Sequence, residues 1–386
     1  MSNPLLIPHV EGLAARQAHA DIPAGTFERE IGRDGFSGPA THFYHRNPPT
    51  AYTDIQGAVR PRAFHPGAVI AAQDCPWNAM SIARNASIHV RYARIEQSMR
   101  HLVRNADGDE LLFVHAGAGE LFCDYGHLSI GVGEYLILPR GTLWRLEVTA
   151  PLDLLMIEAT DSAYRLPERG MVGRHAPFDP GVLAIPAIDQ AFIAQQGPGE
   201  WQVRVKRGNT FGTITFPFNP LDALGWKGDL YPVRLNIRDV RAISSHRLHL
   251  PPSVRTSFVA DQFIVCSLTP RPVETDAGAL KLPFFHNNDD YDELIFYHAG
   301  VMSSRGGAIQ PGMLTFHPSG FTHGPHPGTL PHMLQHPATM FEGYSVAIDT
   351  REALVIAELP NGAELADYAG SWKKSLEFAP DAGQRK

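Results

Sequence analysis

The 386-residue chain is short of cysteine, of long apolar runs and of positive charge, and each shortage removes a class of protein. Only Cys75, Cys123 and Cys266 occur, an odd set without a Cys-x-x-Cys pair, so a disulfide framework is not expected and a reducing, cytoplasmic compartment is. No stretch approaches the ~18 uninterrupted apolar residues of a membrane span. The segment Met1 to His9 lacks the basic region and apolar length of a signal peptide. A formal net charge of -7 offers no field that would hold nucleic acid or an anionic membrane. What the chain does have is 35 Gly and 32 Pro, spread between short apolar runs as turns of a β-rich fold, and 19 His.

Three of the polar residues stand in a recognisable grid. His286-x-Asn288-x4-Glu293-x6-Gly300 is followed by Gly312-x5-Pro318-x-Gly320-x2-His323. These strings resemble the two signature motifs of the cupin superfamily, with Asn288 where a second histidine is usual. The change leaves two imidazoles and one carboxylate, the facial set used by non-heme Fe(II) oxygenases, which keeps coordination positions open for substrate and dioxygen. His286, Glu293 and His323 are therefore the expected metal ligands. Asp289, Asp290 and Asp292 read as turn carboxylates beside them, and His298, five residues after Glu293, falls on the opposite strand face.

The same grid fits the N-terminal half. Val103-x-Asn105-x4-Glu110-x6-Gly117 precedes Gly133-x5-Pro139-x-Gly141-x2-Trp144, with Val103 and Trp144 in the places of His286 and His323. The repeat predicts an all-β bicupin, two jelly-roll β-sandwich barrels with few short helices, in which residues 1–238 hold a barrel without metal ligands and 239–386 the catalytic barrel. Glu110, lacking imidazole partners, reads as a structural carboxylate. Short helices are expected over Thr350 to Glu358 and Glu364 to Ala369.

Beyond the grid, the chain resembles the homogentisate 1,2-dioxygenase family in its short bacterial form. The resemblance is carried from about residue 100 onward by Asn105-Ala106-Asp107-Gly108-Asp109-Glu110, Trp226-Lys227-Gly228-Asp229-Leu230-Tyr231-Pro232, His249-x-Pro251-Pro252, Pro283-Phe284-Phe285-His286, His317-x5-His323-Gly324-Pro325 and Met340-Phe341-Glu342. It implies Fe(II) on His286, Glu293 and His323, and dioxygen cleavage of the ring of homogentisate to maleylacetoacetate in tyrosine and phenylalanine catabolism. It further implies His249 as the group that deprotonates or orients a substrate hydroxyl, His317 on the substrate side, and a homo-oligomer, trimeric or hexameric. A histidine of ordinary pKa near 6.5 suits proton acceptance at neutral pH. Phe284 and Asn287 replace a tyrosine and an arginine of the family pattern, and Met302 stands where a substrate-binding tyrosine is usual. Arg305 is the expected cation for the substrate carboxylate. Two alternatives stay open: ring cleavage of another hydroquinone-type acid, such as gentisate, and a non-catalytic metal-binding cupin.

Overall fold

Alternation of apolar and polar residues builds most of the chain into strands, and the computed structural model describes residues 7–160, 162–208, 210–281, 284–300, 307–329 and 338–373. The α-helix Gln190–Ala194 is started by the Asp189 carboxylate accepting from the Phe192 amide. The all-β expectation holds. An 11-stranded sheet has as its spine the long strands Asp109–Cys123 and Leu143–Ala159, paired along nearly their whole length. A six-stranded sheet runs, in spatial order, Thr256–Val259, Phe263–Leu268, Tyr344–Thr350, Asp292–Ala299, Leu314–His317 and Arg62–Phe64.

Period-two alternation in the second sheet sorts its side chains by chemistry. Leu294 and Phe296, Leu314 and Phe316, and Val346 and Ile348 all enter one hydrophobic core. The intervening positions Glu293, His317 and Asp349 therefore share the other face, and the pairing register sets Glu293 directly against both His317 and Asp349. Slipping any of these strands by one residue would exchange the site with the core.

The halves are interleaved. Arg62–Phe64 is the edge strand beside Leu314–His317, Phe27–Gly32 pairs in parallel with Phe285–Asn288, and Val355–Ile356 pairs with Met80–Arg84. Strands thus cross the boundary expected near residue 238 in both directions. One core unites them, with Phe113 and Phe296 rings 6.2 Å apart.

The two C-terminal helices expected from sequence are absent. Tyr344–Thr350 is a strand and Val355–Ile356 another, which suits their β-branched residues. Residues 364–369 form turns instead, with the Leu365 amide donating to the Ala63 carbonyl. Tertiary pairing outweighs the local helical propensity there.

The internal repeat reappears as register. Trp144 pairs with Val103, as His323 pairs with His286, and Glu110 lies against Glu158, as Glu293 lies against Asp349.

Candidate metal centre

A reciprocal pair of backbone hydrogen bonds, His286 N to His323 O at 2.9 Å and His323 N to His286 O at 3.0 Å, brings the two histidines together. Their rings lie 4.2 Å apart between centroids. His286 Nδ1 is 2.8 Å from the Phe284 carbonyl oxygen and His323 Nδ1 is 3.0 Å from that of Phe321. A carbonyl can only accept, so both Nδ1 atoms carry protons and both Nε2 atoms keep their lone pairs. Glu293 completes the group: one ligand atom from each of the three residues lies within 4.8 Å of the others.

Electrostatics fit a cation among them. Burial alone would raise the Glu293 carboxyl, yet His323 and His317 hold it well below the usual range. Burial, with His323 adding, pushes His286 down to about 3. His323, which burial would lower, is drawn upward by Glu293. His323 Nε2 is buried, has no hydrogen-bond partner and stands 3.7 Å from Glu293 Oε1. A buried nitrogen without a partner is costly in an apolar surround, and a divalent metal ion would satisfy it. Asp349, buried beside Glu293, is pushed up to about 8 by burial and by the Glu293 charge.

His317 donates or accepts at both ring nitrogens: Nδ1 is 2.7 Å from Glu293 Oε1 and Nε2 is 3.0 Å from the Tyr368 hydroxyl. Its ring stacks on His323 at 4.8 Å. The structure therefore gathers His286, Glu293, His323 and His317 in one place, and ties His317 to the carboxylate. His249 is set further back. Phe284 packs against both His249 and His286, with centroids 5.7 and 5.0 Å away. The Nδ1 of His249 is 3.1 Å from both Glu274 Oε1 and Arg271 Nη2, and burial lowers its pKa to about 4. It is a neutral imidazole at physiological pH, and a weaker base than its type alone suggests. Met302 and Arg305 lie outside the described residues.

The acidic turn serves the backbone. Asp292 accepts from the amides of Ser319 and Leu354, Asp289 from Gly320, and Asp290 from Asp34. Asp292 is buried rather than solvated. His298 points away, to His115 at 3.1 Å. Asn287 also faces outward, accepting from Arg29 Nη1 at 2.8 Å and from Thr322 Oγ1 at 2.7 Å. A cavity of about 750 Å³ lined by Asp34, Tyr291, Arg351 and Ile264 shares no residue with the triad.

Sequence reasoning missed Tyr368, Asp349 and the segment around residues 19–45. Asp349 had a usable signal, since its counterpart Glu158 lies against Glu110 in the repeat. Tyr368 had none, being brought in by tertiary folding of an irregular segment.

At the corresponding register in the N-terminal half, protein cations lie against the carboxylates. Arg91 Nη2 lies 3.0 Å from Glu110 and 3.3 Å from Glu158, while Lys206 Nζ lies 2.5 Å from Glu158. Trp144 and Val103 are fully buried where imidazoles would stand.

A mainly β chain with a His, Glu, His group on one sheet is consistent with an all-β cupin fold. Residues 76–237 match the model described as homogentisate 1,2-dioxygenase N-terminal. A protein of Saccharolobus solfataricus provisionally named a dioxygenase is 27% identical, covering 90% of this chain and 93% of that one. The homogentisate 1,2-dioxygenase of Rhodopseudomonas palustris strain BisA53 is 25% identical over 69% of this chain and 62% of its own length, and that of Caenorhabditis elegans 25% over 59% and 53%. The chain thus spans less than two thirds of those named dioxygenases. A cupin 2 conserved barrel domain protein from Leptotrichia buccalis aligns over 75% of the chain with 9% identity and a TM-score of 0.32. Over these stretches the chain is similar to the homogentisate 1,2-dioxygenase family.

Proposed function

We propose that the protein is an Fe(II)-dependent dioxygenase that opens the ring of homogentisate, or of a closely similar hydroquinone acid, with His286, Glu293 and His323 as the iron ligands. The observation that carries this reading is the convergence of two Nε2 lone pairs and one ionised carboxylate among buried and half-buried side chains. When bound there, Fe(II) would supply a Lewis acid for a phenolate oxygen and a path by which the substrate's electrons reach dioxygen.

The chain's own residues hold and orient. The carbonyls of Phe284 and Phe321 keep both imidazoles in the ligating tautomer. His317 holds one Glu293 oxygen and is itself held by Tyr368, so the carboxylate cannot rotate freely. Phe284 packs against both His249 and His286. His249, whose ring Arg271 and Glu274 hold, is the proposed group that orients a substrate hydroxyl or takes its proton. Arg305 remains the proposed carboxylate cation. A homo-oligomer is proposed too, supported by the edge strand Thr210–Phe218, which leaves Phe211, Ile214 and Phe218 about half exposed.

The test is a panel of dihydroxyphenyl acids in an oxygen electrode with anaerobically Fe(II)-loaded protein. Fastest uptake with homogentisate is expected. Uptake with gentisate alone would reassign the substrate, and no uptake with any acid would favour the non-catalytic reading.

A further inference from the structure

The buried face of the N-terminal hairpin carries ionisable groups where a core would place hydrocarbon. Strand Phe27–Gly32 buries Glu28 and Glu30, and across the hairpin the register sets Tyr44 against Glu28 and His42 against Glu30. His19 folds over them from outside the hairpin, in the left-handed backbone region at φ 61, where a side chain is strained. Its Nε2 is 3.1 Å from Glu30 Oε2 and its Nδ1 2.9 Å from Glu28 Oε2. His42 Nε2 is 3.4 Å from the same Glu30 oxygen. One ligand atom each of His19, Glu28 and His42 lies within 4.8 Å of the others. Glu30 Oε2 and His42 Nε2 are both buried and, although Glu30 Oε2 lies within ion-pair distance of both imidazoles, neither atom makes a well-formed hydrogen bond; Glu30 is only 4% exposed.

Burial would lower His19, but Glu28 and Glu30 outweigh it and raise its pKa to about 9, so without metal a His19 proton offsets one of the two carboxylates. A divalent cation that displaces this proton to solvent leaves two neutral imidazoles and two carboxylates whose charge it neutralises. Buried charges of this kind are retained when paired or when they coordinate metal. Mixed imidazole and carboxylate donors select borderline transition metals such as zinc, iron or nickel over calcium and magnesium. We propose that His19, Glu28, Glu30 and His42 form a second metal site, taking a divalent transition-metal ion, that locks the N-terminal hairpin onto the strand bearing His286.

The placement gives the lock its purpose. Glu30 is in register with His286 across the parallel pair of Phe27–Gly32 and Phe285–Asn288. The His19 ring stacks on Phe284 at 4.4 Å, and Phe284 packs on His286. An ion between the four side chains would hold the hairpin, and through it the first residue of the triad, in place.

Metal-stripped full-length protein titrated with Co²⁺ tests the proposal. Wild type should bind two equivalents, Glu30→Gln/His42→Asn one, and His286→Ala/His323→Ala one. In the His286→Ala/His323→Ala background, His42→Cys should add the intense near-ultraviolet band of a thiolate bound to Co²⁺, which locates the ion at His42 even if the double substitution in the hairpin fails to fold. The proposal is overturned if the His286→Ala/His323→Ala protein binds no Co²⁺, if Glu30→Gln/His42→Asn keeps both equivalents, or if His42→Cys adds no band.

Discussion

Glu293 is held by a chain of contacts that runs away from the metal group: carboxylate to His317, His317 to Tyr368. A phenol donating to or accepting from an imidazole is worth about 1 kcal/mol net, or roughly fivefold. Tyr368→Phe is therefore expected to lower kcat/KM for the ring-cleavage substrate about fivefold while iron content stays at the wild-type level. Loss of iron in that variant would mean that Tyr368 supports the fold of the site rather than the aim of one carboxylate. At this scale the sequence was readable wherever a residue belongs to a short-range motif. His286, Glu293 and His323 are brought to notice by spacing across two strands and one loop, whereas Tyr368 and the buried hairpin residues depend on contacts between segments far apart in the chain. Arg29 shows the same limit: Asn287 looks like the loss of a guanidinium, and in the fold a guanidinium from the hairpin meets it.

Among elements, the two long strands Asp109–Cys123 and Leu143–Ala159 set Glu110 against Glu158 with Arg91 beside both. Burial, reinforced by Glu158 and opposed by Arg91, raises Glu110 from an ordinary 4.5 to about 7. The folded chain then keeps a proton on Glu110 that the unfolded chain releases above pH 4.5. The stability this contributes is present below the unfolded value and is lost as pH rises through about 7. Glu110→Gln, which mimics the protonated acid, should leave the melting temperature unchanged at pH 5 and raise it relative to wild type at pH 8. Urea or thermal melts at the two pH values check this, and a variant less stable at pH 8 would show that the Arg91 pair outweighs burial. Strand identity here was legible from alternation and glycine turns, because both period and punctuation are local. The helices expected near residues 350 and 364 were misread because their residues are claimed by strand Met80–Arg84 and by Ala63, neither of which is a neighbour in sequence.

For the whole molecule, the repeat predicted two sandwiches, and the register of Val103 with Trp144 and of His286 with His323 repeats accordingly. What the repeat did not reveal is the exchange of strands between the halves, since edge pairing leaves no motif. The exchange makes residues 27–64 part of the surroundings of the metal group, although their sequence carries little of the family pattern. Strand Thr210–Phe218 forms an edge of the large sheet with apolar side chains outward. If it is a subunit contact, Ile214→Asp/Phe218→Asp should reduce the mass seen by light scattering to that of a smaller species, while unchanged mass would place the contact elsewhere.

The central claim is that one iron at His286, Glu293 and His323 drives ring opening. It is tested most directly by supplying homogentisate and a measured amount of dioxygen to anaerobically Fe(II)-loaded wild type and His323→Ala, and following oxygen loss with the absorbance of the ring-opened diketone. The account predicts equimolar oxygen consumption and diketone formation in wild type, with at least about a hundredfold loss of rate together with loss of tightly bound iron in His323→Ala, as expected when a buried ligand worth about 3 kcal/mol or more is removed. Full iron content and turnover in His323→Ala, or oxygen uptake by wild type without the diketone, would contradict it.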